Sequence, residues 1–425
     1  MGQPVRKKII EQHPEIAEKP FYTLLIDGTN LLRICFADNK VNNKGEHIGG
    51  IVQFFVQIRK MLAKKQYDYI YVFFDDEDSG ILRFNIYNGY KANRDKKYAE
   101  HAFLSEYGKA YEAKLKEWRD KHAGKKKYVG NDDTKAYIEK YKQGKVSKET
   151  LISRFGEKQG KEMAREAEKE ILDTNFKRER DFILKCCNEL YIRWIFNDVT
   201  EGDDLISYYV QHKKPEERIV IMSTDEDLTQ LISDTVCVYN KKIDKYLSKE
   251  NYQRLRGFPV ENVVIKKIMC GDTSDNIKNI AGLSEDGLFN LIPEMRERPV
   301  TVEEIKLRAQ SLIDERIGEK KKPLKVHENI VNGVCNGEYD GDFYDINRKL
   351  VDLSQPLLSE EGEDEIRSMM YESQDPEGRS FENLYKYMVE DNIDDFKDDK
   401  HFATFFEPFK DLVNKEIFRY KKANR

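Results

Sequence analysis

The chain has 425 residues, 36 % of them charged, yet 73 Lys/Arg against 78 Asp/Glu leave a formal charge of only −5, so it is neither strongly basic nor strongly acidic as a whole. That length supports a substantial core and about two domains. Six cysteines without CxxC or Cys/His metal spacing argue against a zinc site or a disulfide framework and suit a reducing compartment.

Residues 1–20, MGQPVRKKIIEQHPEIAEKP, read as an N-terminal extension without the apolar block of a secretory signal. No apolar run approaches the ~18 residues of a membrane span, so a cytoplasmic protein with no membrane partner is expected. Strands are predicted at 22–26, 69–74, 191–196, 219–222 and 236–239. Between the first two, Ile51, Val52, Phe54, Phe55, Ile58, Met61 and Leu62 repeat with helical period. Residues 171–190 and 205–210 supply further helices. Short apolar strands alternating with helices predict an α/β domain with a doubly wound, mostly parallel sheet.

Residues 96–170 interrupt this rhythm. They are rich in Lys, Glu, Tyr and Ala, and residues 95–170 hold twenty Lys/Arg against fifteen Asp/Glu. Surface helices around a basic loop, KHAGKKKYVGNDD, suggest a lid or arch beside a site. After Cys270 the pattern is helical. The expected organisation is an extension (1–20), an α/β domain (21–270) carrying the 96–170 insertion, and a helical C-terminal domain (271–425).

Five acidic clusters fall where strands end or helices begin: Asp27, Asp75, Glu201/Asp203/Asp204, Asp225/Asp227 and Asp272/Asp275. Ligands of open α/β sheets bind beyond the carboxyl ends of strands, which is where Asp27, Asp75 and Asp225 fall. An Asp after a strand is also a common turn residue or helix N-cap. Five clusters together point further. Two carboxylates ~4 Å apart repel by roughly 4 kcal/mol at a protein-like dielectric. A dense acidic pocket therefore binds cations or raises its own pKa values. Oxygen-only donors select Mg²⁺ or Mn²⁺, and the chemistry that follows is a metal-dependent phosphodiesterase.

In order, LLIDGTN, FD followed by ILRFNIYNGYKANR, EGDD, STDEDLTQLI and GDTSDNI resemble the signatures of the 5′ nuclease (flap endonuclease) family. That family includes the exonuclease domains of bacterial DNA polymerases and the phage-encoded ribonuclease H enzymes. The likeness covers 22–283 with 96–170 as an insertion, and YDINRKLVDLSQPLL further on resembles the phage ribonuclease H branch. The resemblance implies a PIN-like fold with a helical arch, two Mg²⁺ ions (Mn²⁺ substituting), and hydrolysis of phosphodiesters near 5′ ends of DNA or RNA–DNA hybrids, as in primer removal. It implies that Asp27, Asp75, Glu201, Asp203, Asp204, Asp225 and Asp227 bind metal, with Asp272 and Asp275 serving the second ion, often through water. Lys91 and Arg94 of YKANR, with Arg83, would stabilise the phosphate, and Tyr90 would stack on a terminal base. DNA bearing a 5′ flap, nick or RNA primer is the implied substrate. A single-strand-binding protein, sliding clamp or polymerase are partners by analogy, and the protein would act as a monomer in the cytoplasm, the host's if phage-encoded.

The sequence departs from the family at Ala281-Gly282-Leu283-Ser284-Glu285-Asp286-Gly287-Leu288, where a GIGxKTA turn usually cradles duplex phosphates; acids there repel phosphate, so either the element is degenerate or the downstream duplex is held differently. Rival readings are weaker. A haloacid-dehalogenase phosphatase needs a second Asp where Thr29 stands. A PIN-type single-strand ribonuclease would be much shorter and lack YKANR and GDTSDN. A catalytically inactive structure-specific DNA-binding protein is separated by testing cleavage with Mg²⁺ and then chelator.

Overall fold

The structure, a computed structural model, describes residues 19–76, 79–91 and 132–425. Its centre is a sheet of β1 (Phe21–Asp27), β2 (Tyr69–Asp75), β3 (Arg193–Asn197), β4 (Glu217–Met222), β5 (Val236–Asn240) and β6 (Lys245–Leu247). The order is β3-β2-β1-β4-β5-β6, with β1 to β5 parallel and β6 an antiparallel edge that the sequence pattern does not reveal. Leu25 of β1 pairs with Tyr71 on one side and Ile221 on the other, so the carboxyl ends of β1, β2 and β4 lie side by side. Both faces are covered, which is why these strands read as continuous apolar runs.

Helices α1 (Gly28–Cys35), α2 (Gly49–Lys64) and α3 (Ile81–Ile86) come from the first third of the chain. Then α4 (Asp132–Lys142), α5 (Lys148–Phe155), α6 (Glu157–Glu189) and α7 (Gly202–His212) lead into the second half of the sheet. Beyond it follow α8 (Tyr252–Arg256), α9 (Val263–Cys270), α10 (Glu285–Leu291), α11 (Val302–Gly318) and α12 (Lys325–Asn332). The chain ends with α13 (Phe343–Val351), α14 (Glu360–Met369), α15 (Phe381–Glu390), α16 (Asp399–Phe406) and α17 (Lys410–Ala423).

Side chains alternate across the sheet with period two. Leu25, Tyr71 and Ile221 face one core, shared with Leu205, Ile268 and Leu350. Leu24, Ile70 and Val220 face the other, shared with Phe55, Ile183 and Phe406. The expected division at residue 271 does not hold as a separation of cores. Helices after it complete both, because neither apolar face of the sheet is covered by the α/β helices alone. The expected boundary at residue 170 also falls inside an element. Helix α6 runs unbroken for 33 residues, about 50 Å at 1.5 Å per residue. Its C-terminal half packs Phe182, Ile183 and Cys186 on the sheet. Its N-terminal half places Met163 and Ala164 against Leu151 of α5 and Tyr137 of α4, a small core of its own. Of the expected basic loop, residues 121–133, residues 121–131 lie outside the described residues and Asp132 and Asp133 open α4. No helix among the described residues is long and apolar enough to cross a membrane.

Candidate active site

The segment Asp27-Gly28-Thr29 shows how one short motif builds a site. Asp27 ends β1 and caps α1, its Oδ1 accepting from the Asn30 N–H at 2.9 Å and its Oδ2 from the Ser223 hydroxyl at 2.8 Å. A Cβ on Gly28 would meet Val72 Cγ1 at 2.7 Å and the Phe73 carbonyl at 2.8 Å, so only glycine lets α1 start this close to β2. Thr29 then accepts the Asp75 N–H at 2.8 Å, fastening the ends of β1 and β2 together. The Asp75 carboxylate in turn accepts the Gly202 N–H at 2.8 Å, where α7 begins.

Glu201 precedes α7, and Asp203 and Asp204 occupy its first turn, where the helix dipole favours negative charge. Asp225 follows β4; its N–H donates to Ser223 Oγ at 3.0 Å, the same hydroxyl that reaches Asp27. Asp272 and Asp275 sit in the loop after α9. Lys91 is tied there by its N–H to the Asp275 carbonyl at 2.8 Å.

Electrostatics show which acids meet. Burial, then the Asp75 charge, pushes Asp27 up to about 7, against the opposing hydrogen bonds from Asn30 and Ser223. Asp203 is raised by burial and by Asp225, Asp27 and Asp75. Asp225 is raised by burial despite the Lys267 ammonium, with Asp275 adding to the rise. Acids from all five clusters thus act on one another. Among the described residues no group of three or more His, Cys, Asp or Glu is placed to hold a metal ion, and what the acids form is a set of carboxylates that raise one another. That donor chemistry fits a hard divalent cation.

Cationic side chains divide these acids. Asp204 is fully buried, its Oδ1 accepting from Arg83 Nη2 at 3.0 Å and the Leu357 N–H at 2.9 Å, while Arg83 Nη1 reaches Oδ2. Its expected role as a metal ligand is corrected: both oxygens are engaged by the protein. Arg83 is corrected likewise. It is 5 % exposed and spends its guanidinium on Asp204, on Glu201 at 2.7 Å and on the Leu350 carbonyl at 2.9 Å, so it organises acids instead of facing a phosphate. The expectation that Tyr90 stacks on a base is corrected too. Its ring is 3 % exposed and its hydroxyl donates to Glu201 at 3.0 Å, which removes the face a base would need. Lys91 keeps an ammonium at the edge of the cluster, paired with Glu201. Arg94 lies outside the described residues.

Lys267 joins the site without having been expected there. Its ammonium bridges Asp227 and Asp272, the latter at 2.7 Å. Burial would raise Asp272, but Lys267 and the Ser274 hydroxyl and N–H outweigh it and hold the carboxyl at about 2. The available signal is a lysine inside the apolar helix VVIKKIMC, directly before GDTSD. At the altered turn, Ser284 caps α10, Glu285 and Asp286 fill its first turn, and Glu285 pairs with Lys266 at 3.2 Å. The helix start is satisfied from within the protein.

Arg83→Ala is expected to lower folding stability by about 3 kcal/mol, because it leaves Asp204 buried without its cation and Glu201 with the Lys91 ammonium alone. Urea unfolding in chelator measures this; a loss below about 1 kcal/mol would show that Arg83 is not their main partner.

A family model for the 5′-3′ exonuclease, N-terminal resolvase-like domain, matches residues 22–118 and 133–256. A 5′-3′ exonuclease of Mycoplasmopsis pulmonis is 37 % identical over 93 residues, covering 22 % of this chain and 31 % of that protein. DNA polymerase I of Rhizobium leguminosarum is 30 % identical over 115 residues, 25 % of this chain and 11 % of the polymerase. The chain thus spans about a third of the first relative's length and about a tenth of the second's. Among solved structures, a T5 5′-exonuclease with divalent zinc ions bound is similar at a TM-score of 0.47 and 16 % identity, over 93 % of this chain and 99 % of that one.

Proposed function

Since this chain belongs to the 5′-3′ exonuclease family, whose N-terminal resolvase-like domain it carries, we propose that it is a divalent-metal-dependent 5′ nuclease. It would hydrolyse phosphodiesters near 5′ ends of DNA or RNA–DNA hybrids, at flaps, nicks or primer junctions. The observation that carries this is the convergence of mutually repelling carboxylates at the carboxyl ends of parallel strands, with the Lys91 ammonium at their edge.

Asp27, Asp75, Asp203 and Asp225 are the acids best suited to hold Mg²⁺ or Mn²⁺, with Glu201 and Asp275 beside them. A pair of such ions would supply an acidified water and charge neutralisation at the phosphate. The residues themselves do the rest. Arg83 and the Gly202 N–H fix Glu201, Asp204 and Asp75; Ser223 fixes Asp27 against Asp225; Lys91 stands ready to neutralise a phosphate oxygen. Lys267 holds Asp227 and Asp272, which with Asp275 would serve a second ion.

Incubation of 5′-labelled flap, nicked and hybrid substrates with Mg²⁺ should release products from the 5′ end, and chelator should stop it. Cleavage that persists in chelator, or none with Mg²⁺ or Mn²⁺, would overturn the proposal.

A stability measurement addresses the same acids without substrate. The carboxyl of Asp27 is raised in the fold from 3.8 to about 7. The ionised form is therefore disfavoured on folding, and metal-free stability is lost as pH rises from about 4 through 7. Asp27→Asn should stabilise the metal-free protein by about 2–4 kcal/mol at pH 8 and by little near pH 4. Mg²⁺ should stabilise the natural protein more than the variant. A variant less stable than the natural protein at pH 8 in chelator would contradict a site in which burial and the Asp75 charge disfavour the Asp27 carboxylate.

A further inference from the structure

We propose that the segment from Asn347 to Gly362 is a positioning strap that sets the two halves of the acid cluster against each other, with Asn347 and Gly362 as its positioning residues. It contains most of the YDINRKLVDLSQPLL stretch, to which the reaction assigns no task.

One end holds the half built on α9. The fully buried Asn347 side chain donates to the Ile268 carbonyl within α9 and to the Lys278 carbonyl, both at 2.8 Å. Its Oδ1 accepts the Tyr339 hydroxyl at 2.6 Å, and that hydroxyl accepts the Lys278 N–H at 3.0 Å. The loop carrying Asp272 and Asp275 is therefore gripped at the end of α9 and at its own far end.

The following residues hold the half built on α3 and α7. The Leu350 carbonyl accepts Arg83 Nε at 2.9 Å, and the Leu357 N–H donates to Asp204 at 2.9 Å. Gln230 clasps the strap between these points, accepting the Leu353 N–H at 2.8 Å and donating to the Val351 carbonyl at 3.1 Å. The Ser359 N–H donates to Thr200 Oγ1 at 3.1 Å, one residue before Glu201. Gly362 lies over that same hydroxyl: a Cβ there would stand 2.5 Å from Thr200 Oγ1 and 3.2 Å from Thr200 Cβ. Thr200 is fully buried and its side chain is short, so it would have to move and take Glu201 with it. Backbone groups of one continuous segment thus reach Arg83, Asp204 and Thr200 on one side, and its Asn347 side chain reaches Ile268 and Lys278, which flank the Asp272–Asp275 loop, on the other. Groups bonded directly to ligating residues typically change metal affinity by about 10–100-fold when lost, and the strap acts one step further back, through Arg83 and Thr200 on Glu201, so the lower end of that range is expected.

The proposal rests on the reading that the acids bind divalent ions, and a substrate-free measurement tests it. Mn²⁺ binding would be followed by electron paramagnetic resonance and calorimetry on the full chain, with unfolding midpoints recorded alongside. Gly362→Ala and Asn347→Leu are expected to weaken Mn²⁺ binding about 10-fold. Phe409→Leu, in the core on the opposite face of the sheet, should lower the unfolding midpoint without moving Mn²⁺ affinity. Gln230→Leu, which removes only the central clasp, provides a milder variant that folds if Gly362→Ala does not; it should weaken Mn²⁺ binding in the same direction. A natural protein that binds no Mn²⁺ would overturn the metal reading and the strap with it. Normal Mn²⁺ binding in the natural protein and equal binding in the strap variants, whatever their midpoints, would overturn the strap alone.

Discussion

Asp75→Asn is expected to lower cleavage by about 10³-fold or more while leaving DNA affinity in chelator within a few fold of the natural protein. The reason is geometric. The Asp75 carboxylate accepts the Gly202 N–H at 2.8 Å, and an Asn oxygen can accept it as well, so the junction of β2 and α7 survives. What disappears is one negative charge beside Asp27 and Asp203, which are raised by it. On the proposed reading a divalent cation would lose a ligand, and the charge building on phosphate would lose part of its neutralisation. DNA affinity on that reading would rest on Lys/Arg contacts with the backbone and should fall with added salt equally in both proteins. Asp225→Asn should behave the same way. Single-turnover cleavage of a labelled flap, with binding measured separately, decides the matter: a rate within 10-fold of normal would remove Asp75 from the metal site.

Predicted strands at 22–26, 69–74, 219–222 and 236–239 lie within β1, β2, β4 and β5, because burial on both faces leaves an unbroken apolar run. The stretch predicted at 191–196 starts too early: Tyr191 has φ +56°, outside extended backbone, and β3 begins at Arg193. Asp27 is both helix cap and site acid, two roles that look exclusive in the sequence, since one oxygen serves each purpose. Failures cluster where charge pairs are made across the fold. Apolar periodicity reports burial but not partners. It does not show that Arg83 and Tyr90 lie beneath Glu201, or that Lys267 bridges two of the acids. The strap shows in the sequence only as a motif without a task. Its contacts are backbone groups, which any sequence supplies, so only Gly362 and Asn347 leave a trace in side-chain identity. Apolar periodicity also makes helix α6 look shorter than it is, for a related reason. Its first half packs on a small core around Leu151 and carries little apolar signal.

Lys91→Ala should slow single-turnover cleavage by about 10²–10³-fold, roughly 3–4 kcal/mol at the transition state. It should do so without weakening metal binding. In the substrate-free protein the Lys91 ammonium pairs with Glu201, and Asp275 and Asp75 lie near enough to favour its charge despite burial. It therefore competes with any cation for the same negative field. Removing it should leave Mn²⁺ affinity unchanged or increase it, the opposite of the expectation for a side chain that merely props up the site. The backbone at this position is already left-handed, φ +51°, and its N–H is fixed to the Asp275 carbonyl at 2.8 Å, so alanine removes the ammonium with the chain held in place. Arg83→Ala contrasts with it, since loss of a fully enclosed cation should cost stability first and rate as a consequence. A Lys91→Ala protein that cleaves at the natural rate, or that loses Mn²⁺ binding in proportion to its rate, would show that the ammonium belongs to the scaffold and not to the phosphate.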